Sequence, residues 1–424
     1  MTAATETGSN EPIRTASGEP LKVSLRRSMR RQKLRAAGLV APLFLFIFIT
    51  FILPIGDMLF RSVQNDLVPD TLPRSTALLQ DWDPAKDELP SEEVFAAMVK
   101  DMQAALAKRT HTRVGQRLNH EHPGMSSIFR SSGRKVKRME EGPFKEALIK
   151  ANKGWGDPAT WKTIKLFAGR YTDGYFLAAM DAKRTTDGDL AFEDEEKRIY
   201  MALFWRTIVL SLFITFMTLV LGFPIAYLLA TVPVRVSNLL LIMVLLPFWT
   251  SLLVRTTSWI ALLQKEGVIN DFLVVVGLVS EDGRLTMIHN ATGTVVAMTH
   301  ILLPFMVLPL YSVMKTISPS YMRAALSMGA TPTHAFRKVY FPQTVPGIGA
   351  GAILVFILAI GYYITPALVG GTSGTFISNR IATFISLLPN WGLASALGVI
   401  LLGIVLALYI LYDKIVGIDN MKLG

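Results

Sequence analysis

The most constraining feature of this chain is a set of apolar runs long enough to cross a lipid bilayer. Residues 391–412 contain no Asp, Glu, Lys or Arg, and residues 36–60 contain only Asp57. A helix needs about 20 apolar residues to span the hydrocarbon. Within it every peptide group must find its hydrogen bond inside the protein. Six runs qualify: 36–60, 204–230, 239–263, 291–313, 345–369 and 391–412. They predict an all-α, polytopic membrane protein with six transmembrane helices. Composition agrees, because 18% of the residues are charged, against about 25% in soluble domains. A purely soluble enzyme is excluded.

The formal net charge is +11. The basic residues gather beside apolar spans, so orientation in the membrane accounts for them more simply than nucleic-acid binding does. Arg26, Arg27, Arg30, Arg31, Lys33 and Arg35 precede the first run. That run is longer than a signal-peptide core, and no small-x-small cleavage site follows it. The expected organisation is a basic cytoplasmic tail over 1–35, a first helix over 36–60, an external insert over 61–203, a transmembrane core over 204–413 and a cytoplasmic tail over 414–424. Counting crossings places the 314–344 loop in the cytoplasm, and it carries Lys315, Arg323, Arg337 and Lys338 with no acidic residue. The loop after the fifth run has one basic residue, Arg380. The positive-inside rule is thus met at both ends, with N- and C-termini cytoplasmic.

The insert is polar and punctuated by turns such as Asp83-Pro84 and Gly142-Pro143. Helical stretches are expected near 91–109, 158–170 and 193–206, and no strand is legible. Phe95, Met98, Met102 and Leu106 recur at helical spacing and read as a local core. Residues 269–279 are apolar but too short to span, which suggests an interfacial helix.

Patterns of catalysis are absent: no Gly-x-Ser-x-Gly elbow, no His-Glu-x-x-His and no phosphate-binding loop. Without cysteine there are no disulfides, thiolate ligands or thiol nucleophiles. His120-Glu121-His122 with His111 upstream reads as loop histidines and not as a metal site. Gly347, Gly349 and Gly351 open a span, where small residues let helices approach closely. Arg255 lies deep in the third run. An arginine there either lines a polar path or hydrogen-bonds to carbonyls freed by a break in the helix. Trp249, Trp259, Tyr362 and Tyr363 are the other candidates for a translocation path.

The segment from Tyr321 to Pro342 reads as a short helix, a glycine stop at Gly329, a second helix opened by Pro332, and an end at Pro342. Small residues at Ala324, Ala325 and Gly329 would let a partner protein seat closely. This segment resembles the Glu-Ala-Ala, Gly, Ile-x-Leu-Pro element of bacterial ABC importer permeases. Ala324, Ala325, Gly329 and Pro342 match it, Val339 and Phe341 are apolar replacements, and Arg323 stands where that family usually has Glu. The stretches 246–256, 221–227, 303–311 and 365–371 look like those of spermidine/putrescine-type permeases.

The resemblance implies one permease subunit of an ATP-driven importer, with 321–342 as the element that couples it to an ATPase. It further implies a dimer of ATPase subunits carrying ATP and Mg, a second permease subunit, a periplasmic solute-binding protein and surrounding lipid, with no cofactor in this chain. A polyamine is the leading solute. Another small organic solute is the alternative, since Tyr362 and Ala367 are uncharged where similar permeases often carry acid. A membrane sensor or assembly protein, with the insert as its ligand domain, is the reading from another class.

Overall fold

The computed structural model describes residues 21–416 except Asp87, His120, Thr186, Asp187 and Pro389, and it is built almost wholly from helix. Part of the expected N-terminal tail (1–20) and most of the C-terminal one (417–424) lie outside the described residues.

The first span, Gln32–Arg61, contains a π-helical turn at Phe48–Ile52, closed by the Leu53 N–H donating to Phe48 O. Pro54 follows at once. A proline lacks an N–H and its ring clashes with the carbonyl four residues back. Widening the preceding turn removes that clash without breaking the helix.

From Arg61 onward four further helices are long and apolar enough to cross: Tyr200–Thr231, Ala291–Thr316, Pro332–Gly361 and Trp391–Lys414. The second, fourth and fifth spans pack on one another around Ile214, Met298, Met306, Leu310 and Val355. Glycines set their separation. A Cβ at Gly351 would lie 2.7 Å from Met306 Sδ and one at Gly347 3.0 Å from Val313 Cβ, so larger residues would push the helices apart.

Two predicted spans are not continuous helices. The 239–263 run is broken: helix Val234–Leu245 ends in a 3-10 turn at Leu246–Trp249, and a new helix begins at Leu252. The two halves, Val234–Trp249 and Leu252–Val275, meet at 96°. Pro247 and the Thr250-Ser251 pair account for the break, since Ser251 caps the second half by accepting from Val254 N at 3.2 Å. The 345–369 run is likewise interrupted. Its helix ends at Gly361, and a short separate helix, Ile364–Val369, follows the extended Tyr362. Both interruptions keep the composition of a membrane segment, so hydropathy alone does not register them. The apolar 269–279 stretch contributes the short helix Val268–Val275.

The insert has its own core. Phe95, Phe129, Trp155 and Trp161 are buried together, with ring centroids 4.5 Å apart for Phe95–Trp161 and 5.4 Å for Trp155–Trp161. Both indoles are satisfied, Trp155 Nε1 by Ser132 Oγ and Trp161 Nε1 by Trp155 O, each at 2.9 Å. Helices Glu92–Ala107 and Pro158–Leu166 fall where the periodicity placed two of them. The third holds in its second half. Over 193–199 there is the 3-10 turn Glu195–Lys197, and 200–206 are the first turns of the second span. There is also a small antiparallel hairpin, Ala182–Arg184 with Leu190–Phe192, whose three-residue strands are too short to show an alternating pattern. The chain enters and leaves the helical part side by side, since Gln64 bridges Tyr171, Asn65 N donates to Arg170 O and Thr172 N to Val63 O, both at 2.8 Å.

Asp181 joins hairpin to membrane helix. Its carboxylate is buried and accepts from the N–H groups of Ile199, Tyr200 and Met201 at 3.1, 3.0 and 2.8 Å. These are the orphan donors of the second span, and the negative charge also suits the helix N-terminus. Asp181→Ala should cost about 1–2 kcal/mol, read as a lower unfolding temperature of the detergent-solubilised chain. An unchanged midpoint would show that water replaces the cap.

His111 gives the insert a pH dependence. Its imidazole has a buried Nδ1 with no hydrogen-bond partner, and burial pushes its pKa below the ordinary value of 6.5. The unfolded chain therefore takes up a proton there that the folded chain refuses. Stability from this group is present above about pH 6.5 and is lost as the pH falls. The Trp155/Trp161 fluorescence transition should move to lower temperature between pH 7.5 and pH 5, and less so in His111→Gln. Equal pH shifts in both proteins would assign the effect to carboxylates alone.

Candidate functional site

The loop between the fourth and fifth spans starts at Ser318, whose Oγ accepts from Ser320 N at 3.3 Å and caps the helix Pro319–Ser327. Gly329 ends that helix with φ at +89°. Nothing lies near the position of an added Cβ, so backbone conformation and not crowding calls for glycine there. Thr331 caps the next turn, Pro332–Ala335. Pro342, expected to end that helix, does not. A π-helical turn at Phe336–Tyr340 carries the chain straight into the helix Phe341–Gly361, with Phe341 N–H donating to Phe336 O. The device is that of the first span, a wide turn placed just ahead of a proline.

Five rings hold the loop against the second span. Phe336 meets Phe223 and Tyr227 edge-on with centroids 6.3 and 5.7 Å apart, Tyr227 meets Tyr340 at 5.4 Å, and Phe223 meets Phe341 at 5.8 Å. Among the predicted residues, Ala325 is buried and Val339 half-buried, while Arg323, Ala324, Gly329, Pro332, Phe341 and Pro342 are exposed. Beside them Tyr321, Leu326 and Met328 are exposed at 54, 42 and 82%. The loop therefore offers an apolar surface rimmed by Arg323, fixed to the membrane helices by its opposite side.

The second predicted group gathers only in part. Arg255 is half-buried and donates through Nη2 to Pro247 O and, at 3.0 Å, to Thr250 O. Those carbonyls are the ones released by the 96° break. Trp259 donates from Nε1 to Nδ1 of His300 at 3.1 Å. The Arg255 charge lies within electrostatic reach of His300 and of Tyr362. At the second break Tyr362 O accepts from Ser378 Oγ at 2.6 Å, and Tyr363 O from Asn379 Nδ2 at 2.7 Å. Thr256 and Thr365, both fully buried, link the two broken segments by a hydroxyl pair at 3.2 Å. Trp249 and the Tyr363 side chain are exposed, at 74 and 47%.

His300 was missed in the sequence reading, although a histidine inside an otherwise apolar span is a signal in itself. The roles of Ser378, Asn379, Phe223 and Tyr227 had no such signal, because each depends on a neighbour remote in sequence. As to the histidine cluster, His120 lies outside the described residues. Among the described residues no three His, Asp or Glu side chains converge on a metal position.

Residues 199–416 match the family described as the binding-protein-dependent transport system inner membrane component. The chain belongs to that family. The PotB spermidine/putrescine transport system permease protein of Salmonella typhimurium (strain SL1344) is 31% identical over 214 residues, 50% of this chain and 74% of that one. The inner membrane ABC transporter permease protein YdcU of Escherichia coli (strain K12) is 32% identical over 222 residues, 50% of this chain and 70% of that one. A chain of a crystallised bacterial ABC transporter involved in the import of the acidic polysaccharide alginate is 18% identical with a TM-score of 0.42, covering 54% of this chain and 82% of that one. The protein is thus a multi-pass permease component and not itself an enzyme.

Removing the guanidinium takes a donor from Thr250 O, while Pro247 O keeps Thr250 Oγ1 and Thr250 N at 2.8 and 3.2 Å, so the cost is that of about one hydrogen bond, about 0.5–1.5 kcal/mol. Arg255→Ala is expected to lower the unfolding temperature as well as uptake, and Arg255→Gln to restore part of the stability. A variant of unchanged stability and altered solute preference would instead place Arg255 on the transport path.

Proposed function

We propose that this chain is a permease subunit of an ATP-driven importer that carries a polyamine such as spermidine or putrescine into the cytoplasm by alternating access. The observation that carries the coupling half of this reading is the loop 321–342. It is a capped helix, a glycine turn and a second helix with an exposed apolar face, hung on the second span by five rings. A partner ATPase that closes on ATP and Mg seats on Tyr321, Leu326 and Met328, and its motion passes through Phe336 and Tyr340 into Phe223 and Tyr227. Arg323 then faces an acidic group on the partner where a Glu-bearing permease would face a basic one. With the basic loops inside, both termini are cytoplasmic and the 61–203 insert is periplasmic. A second permease subunit completes the path, and a solute-binding protein delivers to its outer end.

The polyamine is supported by the PotB relatives, which are spermidine/putrescine transport system permease proteins. The broken segments that meet near Arg255, Trp259, His300 and Tyr362 make the translocation path, as discontinuous helices do where transporters bind solute near the membrane midplane. A different small organic solute is the second reading. It is favoured by one observation, the cationic Arg255 where a polyamine would need carboxylates or an aromatic cage.

Gly329→Asp tests the coupling. A charged side chain at φ +89° adds a Cβ to a left-handed backbone, at up to about 1 kcal/mol for Asp, and disturbs the apolar face. Labelled-spermidine uptake by cells expressing the chain with its transport partners should be abolished while the protein still inserts and no longer retains its ATPase in mild detergent. Normal uptake by stably inserted Gly329→Asp would sink the coupling role. Uptake that is lost but was never competed by unlabelled spermidine or putrescine would leave the coupling role and remove the polyamine.

A further inference from the structure

Charge in the insert is balanced in total and segregated in space. Over 61–203 there are 23 Lys and Arg and 22 Asp and Glu, yet 108–138 holds nine of those cations and a single acid, Glu121. Glu121 is already taken up by Arg117, at 2.6 Å. The basic stretch folds into two helices, His111–Asn119 and Met125–Val136, packed closely on each other. A Cβ at Gly115 would lie 2.8 Å from Phe129 Cβ, and one at Gly133 2.8 Å from His111 Nε2. Like charges gathered on one helix pair repel, so this segregation opposes folding.

Part of that charge lines a concave surface. The inner face of Met125–Val136, with Ile128, Phe129 and Val136, is buried in the core of the insert. The outer face opens on a groove of about 710 Å³, walled by Asn119, Ser127, Arg130, Ser131, Arg134 and Lys135 and by no carboxylate. Arg130 and Arg134 are exposed and stand one helical turn apart, about 6 Å along the axis. Among the described residues neither has an ion-pair or hydrogen-bond partner. Lys135 Nζ gives one hydrogen bond, to Ala151 O at 2.7 Å, and keeps two N–H groups. Ser131 Oγ accepts from Asn152 Nδ2 at 2.7 Å, which leaves its own O–H to donate. The helix terminus is not what makes the site, because Asn119 Oδ1 already accepts from Gly124 N and Ser126 N at 3.0 and 3.2 Å. The free donors all belong to side chains.

We propose that this groove binds a phosphate-bearing anion of at least two negative charges, its oxygens held by the guanidinium forks of Arg130 and Arg134, with Lys135 and the hydroxyls of Ser127 and Ser131 beside them. Guanidinium forks match phosphate oxygens two at a time. Three cations with no acid among them call for more than one negative charge, so a simple carboxylate is the poorer fit. A doubly charged lipid headgroup and a soluble phosphate offer the same chemistry, and the choice of bilayer separates them.

Binding here is independent of the transported solute and is read on the purified full chain in phosphatidylcholine nanodiscs, with sodium pyrophosphate as probe and sodium acetate at equal ionic strength as comparison. Pyrophosphate should raise the unfolding temperature saturably, and acetate should not. Calorimetric affinity should fall by roughly tenfold or more in Arg130→Gln/Arg134→Gln. Lys137→Gln/Arg138→Gln removes the same charge just beyond the groove and should change affinity by less than about threefold. Ser127→Asp should abolish binding while holding or raising the unfolding temperature, since a carboxylate in the first turn suits the helix N-terminus. No saturable effect of pyrophosphate on the unaltered chain would overturn the site. Equal losses in the two double variants would reduce it to a diffuse positive field, and acetate binding as tight as pyrophosphate would overturn it as well. With the site established, nanodiscs containing cardiolipin and no pyrophosphate identify the source. An unfolding temperature that rises with cardiolipin in the unaltered chain and not in Arg130→Gln/Arg134→Gln assigns a headgroup, and equal temperatures in the two bilayers assign a soluble phosphate.

Discussion

A peptide group inside a bilayer has no water to turn to, and the irregular parts of this protein are arranged around that fact. Wherever a helix breaks, a side chain from elsewhere accepts the consequence. Arg255 takes Pro247 O and Thr250 O, Ser378 takes Tyr362 O, and Asn379 takes Tyr363 O. Where a proline threatens a break without function, at Pro54 and Pro342, the helix instead widens by one residue and runs on. The broken third run and the interrupted fifth run are brought together by the Thr256–Thr365 hydroxyl pair. Non-helical backbone at membrane depth is tolerated where protein or a water-filled path surrounds it.

The second span is fastened at each end by a different chemistry. Asp181 holds its first peptide groups with charge and hydrogen bonds, and the rings of Phe336, Tyr340 and Phe341 hold Phe223 and Tyr227 near its far end. The helix of 32 residues between them is roughly 48 Å long at 1.5 Å per residue. One continuous helix thus joins the ring contacts of the loop to the hairpin of the insert.

The spans themselves were legible because about 20 apolar residues are a long signal and nothing else produces it. The loop motif was legible for a different reason: glycine at 329 and prolines at 332 and 342 are tied to backbone geometry. The breaks were not. Leu246-Pro247-Phe248-Trp249 is as apolar as the helix it interrupts, and Tyr362-Tyr363 follows an unbroken hydrophobic run. Pro342 misled because a proline normally marks an end, and only the register of the preceding turn shows that the helix continues. Arg255 stood out as an isolated charge, but its partners are carbonyls, which every residue has, so its role could not be chosen from the sequence.

The bridge between Gln64 and Tyr171 bears on how such a chain came to be built. Its two ends stand side by side, so the roughly hundred residues between them close on themselves and cross into the permease only at one narrow neck. Loop-closure entropy grows only logarithmically with length, so a module of this size weighs on the surrounding helices little more than a short loop would. The folded unit with its own tryptophan core lies outside residues 199–416, the contiguous stretch that matches the family.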